Sequence, residues 1–279
     1  MRYGFVLPSG SAEVAADLAA EAERAGWDGF FCPEGIWSVD AWVSLTAAAM
    51  RTSTIRLGTM LTPLPRRQPW DLASQSATLD NLSGGRVILS VGLGATDPRF
   101  WIFTDDPGRR VRAEMLDEGL DMLTHLWRGE PFAYAGRHYR AEPATMLIPP
   151  PAAQRPRIPV WVVGQWPAPR SMARVARWDG WLPYLPTPGD GLNRPGRAQL
   201  AEGVAWLREE RTRLGLSMDG FDVVMEGNTE PGPDAVAEAA AWADAGATWW
   251  LEANWEVAEH EAAEVSRARL RAGPPRIAR

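Results

Sequence analysis

The run Thr54-Ile55-Arg56-Leu57-Gly58-Thr59-Met60 is followed, after a proline-rich bend, by Pro69-Trp70-Asp71-Leu72-Ala73-Ser74-Gln75-Ser76-Ala77-Thr78-Leu79-Asp80-Asn81-Leu82, then Ser83-Gly84-Gly85, then Val87-Ile88-Leu89-Ser90-Val91. Within the first and last pieces, 55–60 and 87–91 are short and rich in β-branched or leucine residues, so they read as buried strands. The middle piece opens on proline, carries apolar residues at helical spacing and stops at a glycine pair, which is a helix with its start and stop signals. Strand, helix, tight turn and strand make one βα unit feeding the next, and two such strands lie parallel in one sheet.

The same alternation extends in both directions. Upstream it predicts strands over 3–7 and 29–32, with helices over 11–25 (Ser11 as N-cap) and 40–51. Downstream it predicts strands over 160–163, 180–182, 221–225 and 249–251, and helices over 109–127, 168–177, 197–214, 233–245 and 257–272. Eight strands, each followed by a helix, are what a (β/α)8 TIM barrel requires in one α/β domain spanning 1–279; a doubly wound open sheet is the alternative. The pattern breaks after strand 4. Residues 95–108 are irregular and 129–159 form a proline-rich excursion, an insertion of the kind that carries functional loops.

Composition narrows the chemistry. The chain has 279 residues, a formal charge of −6, 46% hydrophobic residues and no lysine, its 29 basic residues all being arginine. An acidic chain is a poor partner for nucleic acid, and a lysine-free one forms no Schiff base. With one cysteine, Cys32, there is no intrachain disulfide, and His125, His138 and His260 show no metal-ligand spacing. No metal is expected. No stretch reaches the roughly 20 apolar residues of a membrane span, and the start lacks a signal-peptide pattern, so a cytoplasmic protein without a membrane partner is expected.

Barrel enzymes place chemistry at the C-terminal ends of their strands. Glu34, Glu226 and Glu252 stand at such ends, as do Gly92-Leu93-Gly94 and Gly164-Gln165-Trp166. Glu34 is the candidate catalytic group, a carboxylate able to serve as general base; Glu226 and Glu252 are candidates for the substrate pocket. None of the histidines falls at a strand end, which argues against a hydrolytic triad. Fifteen tryptophans bring flat apolar faces suited either to an aromatic core or to walls around a planar ligand; Trp37, Trp101, Trp166 and Trp249 are the candidates for such walls. A site with this inventory needs an organic cofactor for difficult chemistry.

The block from Thr54 through Gln68-Pro69 to Leu79-Asp80-Asn81-Leu82-Ser83-Gly84-Gly85-Arg86-Val87 and Gly92-Leu93-Gly94 resembles the bacterial-luciferase-like family of flavin- and deazaflavin-dependent oxidoreductases. So do Leu126-Trp127-Arg128-Gly129-Glu130, Gly136-Arg137-His138-Tyr139 and Ile158-Pro159-Val160-Trp161-Val162-Val163-Gly164. The resemblance implies a barrel that binds FMN or the deazaflavin F420 at its mouth, with a non-proline cis peptide at Met60–Leu61. It implies a cofactor phosphate held near Gly164, Gln165, Trp166, Arg170 and Ser171, where N–H groups and a guanidinium favour an anion. It further implies a homodimer, for which helices 2 and 3 with Trp42 and Trp70 are candidate faces, and a separate flavin or F420 reductase as partner.

The expected activity is a monooxygenase using reduced FMN and oxygen on a small organic substrate. F420-dependent hydride transfer is the alternative, and a non-catalytic flavin-binding protein the reading outside enzymology. One departure stands out. Many relatives have a histidine after the strand-2 acid, and this chain has Cys32-Pro33-Glu34-Gly35, leaving Glu34, water or the substrate to move protons.

Overall fold

The computed structural model describes residues 1–143, 149–184 and 196–277. The proline- and glycine-rich loop after the sixth strand and part of the 129–159 excursion lie outside the described residues.

Eight parallel strands close on themselves. They are β1 (Arg2–Val6), β2 (Gly29–Cys32), β3 (Arg56–Thr59), β4 (Val87–Gly92), β5 (Val160–Gln165), β6 (Gly180–Tyr184), β7 (Asp222–Gly227) and β8 (Trp249–Ala253). Each pairs with the next, and β8 returns to β1 with Gly4 opposite Leu251 and Val6 opposite Ala253, which excludes the open sheet. Between β3 and β4 the pairing runs Leu57↔Val87 and resumes at Thr62↔Val91, beyond a cis Met60–Leu61 peptide.

The outer layer is α1 (Ala12–Arg24), α2 (Ala41–Ala49), α3 (Pro69–Ser83), α4 (Arg109–Leu126), α5 (Pro169–Val175), α6 (Arg197–Arg213), α7 (Pro233–Asp244) and α8 (Ala262–Arg271). Ser11 and Asp40 accept N–H bonds from Val14 and Val43 as N-caps. Gly84, at φ 69°, ends α3 in the left-handed conformation that glycine adopts without penalty. Strands β5 to β8 run two residues beyond their predicted ends, and between β5 and β6 pairing continues as far as Gln165↔Tyr184. Helix α8 begins five residues later than predicted: a tight turn with Glu261 N–H on Ala258 O occupies the expected first turn. Among the described residues no helix is long and apolar enough to cross a membrane.

Alternation along a strand sends successive side chains to opposite faces. Outward residues such as Leu57, Leu89, Val162 and Trp250 join one core with the helices. Inward residues form a second core of Val6, Phe31, Ile88, Trp161, Leu182 and Trp249 with their neighbours. Phe31 stacks on Trp161 at 5.4 Å between centroids, and Trp249 meets Trp161 at 5.2 Å. Such a cluster of large rings fits only because glycine faces it: a Cβ on Gly180 would lie 2.3 Å from Trp161, and one on Gly29 2.7 Å from Phe31. The aromatic plug fills the lower barrel and separates its mouth from its floor.

Trp42, a candidate dimer contact, is 3% exposed and packs into the chain's own core, whereas Trp70 is 46% exposed.

The N-terminal ends of the strands are tied by carboxylates. Glu23 accepts N–H bonds from Ser53, Thr54 and Ile55 at 2.7–3.1 Å and the Thr54 hydroxyl at 3.0 Å. Burial opposes its ionisation, but these donors outweigh burial and hold its carboxyl below the usual 4.5. A depressed folded pKa contributes stability that is complete above the unfolded value and lost as pH falls through the folded one. Glu23→Gln is therefore expected to lower the neutral-pH melting temperature and to flatten the wild type's loss of stability below about pH 4.5. Parallel acid-side curves for the two proteins in thermal melts from pH 7 to 3 would refute this.

Candidate active site at the barrel mouth

At the C-terminal ends of the strands, inward parity falls to Met60, Ser90, Gly92, Val163, Gln165, Tyr184, Glu226 and Ala253. Gln165 and Tyr184 are register partners on adjacent strands, and Glu226 shares the parity of Val224. Met60 and Leu61 flank the cis peptide. A Cβ on Gly92 would lie 3.1 Å from the Leu61 side chain and 3.2 Å from that of Val163, so glycine keeps this wall open. Gly94 adopts φ +82° beside Pro63 and Arg66, a conformation that favours glycine.

Glu34 is almost enclosed and fully engaged. Its Oε2 accepts the Trp42 indole N–H at 3.1 Å and the Thr62 hydroxyl at 2.6 Å, while Oε1 pairs with Arg67 at 3.1 Å. Thr62 Oγ1 lies 3.0 Å from Thr59 Oγ1, which donates to the Ser90 carbonyl at 3.3 Å. The carboxylate thus joins α2, the end of β2 and the segment beyond the cis bond. The neighbouring Cys32 thiol is pushed up to about 12 by complete burial, which makes it inert as a nucleophile.

Cations gather on one side of the mouth. Arg112, 2% exposed, donates to the carbonyls of Gly94 and Ala95, pairs with Asp106 at 3.2 Å and lies 5.1 Å over the Trp101 ring. Arg66 bonds the Phe100 carbonyl at 3.3 Å, and burial, reinforced by the Arg112 charge and opposed by Glu34, lowers its pKa. Arg109 bonds the Gln165 side-chain oxygen. Arg170 is exposed in the first turn of α5 and has no carboxylate partner among the described residues. Ser171 Oγ accepts the Gln165 N–H at 2.9 Å. Trp166 forms a cis bond to Pro167, and its ring lies 6.2 Å from Trp206.

Two loops carry the aromatic rim. Trp37, at φ 47° and 89% exposed, meets Phe103 edge-on at 6.1 Å across from the loop after β4. Trp101 on that loop is fixed by its N–H on Ala95 O at 2.9 Å. Positive φ is uncommon for so bulky a residue and clusters at functional sites.

Three expected positions do not face the mouth. Trp249 opens β8, at the far end of the strand from the mouth, and lies fully buried in the aromatic plug. Glu252 has the outward parity of Trp250: it accepts Thr229 N–H and Oγ1 and pairs with Arg269 at 2.9 Å beneath α8. Gly164 also points outward, where a Cβ would lie 2.5 Å from Val175, so its lack of a side chain lets α5 pack on β5. Alternation turns Glu252 and Gly164 outward, and a place at the start of β8 keeps Trp249 below the mouth. Thr59, Thr62, Arg67, Arg109 and Arg112 were not singled out, and only the Arg66-Arg67 pair beside the cis bond offered a signal.

Comparison with known proteins agrees with the barrel fold. The family model described as luciferase-like monooxygenase matches residues 1–277. An uncharacterised protein of Mycobacterium bovis is 31% identical over 89% of this chain and 90% of its own length. A putative coenzyme F420-dependent oxidoreductase of Mycobacterium tuberculosis is 34% identical over 67% of this chain and 58% of its length. An F420-dependent glucose-6-phosphate dehydrogenase of Nakamurella multipartita is 30% identical over 71% and 63%. This chain therefore spans about 60% of those two relatives. Among solved structures, a monooxygenase from Streptomyces bottropensis superposes with TM-score 0.73 at 24% identity, covering 96% of this chain and 97% of that one. An F420-dependent secondary alcohol dehydrogenase gives 0.75 at 16%, over 97% and 98%. These two likenesses concern the fold.

Proposed function

The chain belongs to the luciferase-like monooxygenase family, and we propose that within it this protein is an oxidoreductase that uses coenzyme F420 at the barrel mouth. The observation that carries the choice is the pair Arg109 and Arg170. Both are exposed beside Gln165 and Ser171, and neither has a carboxylate partner among the described residues. The F420 side chain carries a phosphodiester followed by a carboxylate-rich tail, so two rim guanidiniums without carboxylate partners among the described residues suit it better than they suit the single phosphate of FMN. The two relatives at 30% and 34% identity whose names state a cofactor both name F420, which supports the same reading.

When bound, the cofactor supplies a hydride acceptor or donor. The protein's part is positioning. Arg109, Arg170 and Ser171 would hold the anionic end, and the Leu61–Gly92 wall would seat the ring system. Trp37, Phe103 and Trp101 would exclude water from the substrate side. Gln165, Tyr184 and Glu226, with inward parity at the mouth, would orient a small polar substrate.

Titrating the protein against F420 and FMN, with binding read from cofactor fluorescence, tests the proposal. F420 is expected to bind more tightly, and Arg109→Gln or Arg170→Gln to weaken it about tenfold each, the loss of one charge-assisted contact. Tighter binding of FMN would replace this reading with reduced-FMN monooxygenation, and binding of neither would end both. Bound F420 without turnover of any alcohol, aldehyde or enone panel would leave a binding protein without chemistry.

A further inference from the structure

Beneath the aromatic plug, at the end of the barrel opposite the mouth, lies a cavity of about 610 Å³, within the size range of ligand sites. The mechanism above makes no use of it. Its guanidiniums come from Arg2 on β1, Arg56 on β3, and Arg155 and Arg157 on the excursion before β5; its carboxylates are Asp28, Asp179 and Asp222.

The carboxylates are committed to the protein. Asp28 accepts the Tyr3 N–H at 2.8 Å. Asp179 accepts the Val160 N–H at 2.9 Å and pairs with Arg157 at 3.2 Å. Asp222 accepts the Trp161 indole N–H at 3.1 Å and the Thr248 hydroxyl at 3.3 Å. The other three cations are not matched in the same way. Arg56 spends its contacts on neutral oxygens of Gly85, Val87 and Gln154. Among the described residues Arg155 bonds the carbonyls of Ala152 and Gln154 and no carboxylate. Arg2 lies over the Trp249 ring, with its nearest carboxylate, Asp222, at 3.8 Å, beyond hydrogen-bond distance.

The electrostatics point the same way. Burial lowers the Arg56 pKa first, and repulsion from Arg2 is the next cause. Burial also raises that of Asp222, against the pull of Arg2, which weakens one of the two carboxylates, Asp80 and Asp222, that offset the Arg56 charge. An anion seated among Arg2, Arg56 and Arg155 would relieve this repulsion and gain charge-assisted bonds.

We propose that the barrel floor is a second binding site, for a small oxyanion of the phosphate or dicarboxylate class. The site is independent of the cofactor reading, because the plug of Phe31, Trp161 and Trp249 lies between floor and mouth. Its occupant ties β1, β3 and the excursion together at the face of the barrel that governs stability rather than catalysis.

The test is thermal unfolding and calorimetric titration of the full chain with inorganic phosphate and with succinate, at ionic strength held constant with chloride. Wild type, Arg2→Gln, Arg155→Gln and the mouth variant Arg170→Gln are compared. One of the two anions is expected to raise the melting temperature saturably, by about 3–6 °C at ten times its dissociation constant. The rise should persist in Arg170→Gln and be lost in Arg2→Gln or Arg155→Gln; the anion that produces it identifies the ligand. No saturable rise with either anion, a rise kept by both floor variants, or one abolished by Arg170→Gln overturns the proposal.

Discussion

Replacing Glu34 with alanine is expected to destabilise the protein by about 2–4 kcal/mol, because it leaves a cation and an indole N–H without their acceptor in a largely enclosed place. Arg67 loses its carboxylate at 3.1 Å, Trp42 its acceptor at 3.1 Å and Thr62 its acceptor at 2.6 Å. The Glu34 side chain is 9% exposed and that of Arg67 22%, so water compensates only in part. In a chain of this length the melting temperature should fall by roughly 4–16 °C. Glutamine is the informative contrast. It keeps one oxygen for Thr62 and Trp42 and gives up the charge facing Arg67, so Glu34→Gln should lose less stability than alanine and retain cofactor binding. A proton-transferring Glu34 would give the opposite signature, in which glutamine abolishes turnover with the melting temperature unchanged. An alanine variant that melts with the wild type would dismiss the tying role.

This prediction shows where sequence reasoning reached and where it stopped. The βα repeat was legible because strand runs and helix stops are local: Ser11 and Asp40 cap, Gly84 terminates α3, and every strand core was found within a few residues. Closure of the ring depended on counting eight such units. The position of Glu34 at a strand end was equally plain, but its engagement was not. Its partners Thr62 and Arg67 come from the far side of α2, through a bend whose geometry no local signal fixes. Parity was the other blind spot. Placing Glu252 requires knowing which face of β8 turns into the barrel, and a shift of one residue exchanges the interior for the helix-covered face. Trp249-Trp250 offers no contrast of polarity to set that phase, and both indoles are buried, one inside the barrel and one beneath the helices.

The aromatic plug makes the second large prediction. Trp161→Ala is expected to cost about 3–5 kcal/mol, the range for emptying a fully buried indole site, and to lower the melting temperature by roughly 6–20 °C. Trp161 stacks on Phe31 at 5.4 Å, abuts Trp249 at 5.2 Å and donates its N–H to Asp222 at 3.1 Å. Its removal deletes packing and also leaves a partly buried carboxylate short of a donor. The register explains why the loss should not be repaired by neighbours: the strands facing the ring carry glycine, and glycine has no side chain with which to fill the space. The converse holds at Gly180. A methyl there would lie 2.3 Å from Trp161, so Gly180→Ala alone should also destabilise, by about 1–3 kcal/mol through overpacking. Combined with Trp161→Ala, the same methyl enters an empty volume, and the double variant should be more stable than the sum of the single losses predicts. A cycle measured by denaturant unfolding decides it. Strict additivity would mean that Gly180 and Trp161 do not share the space the barrel interior assigns them.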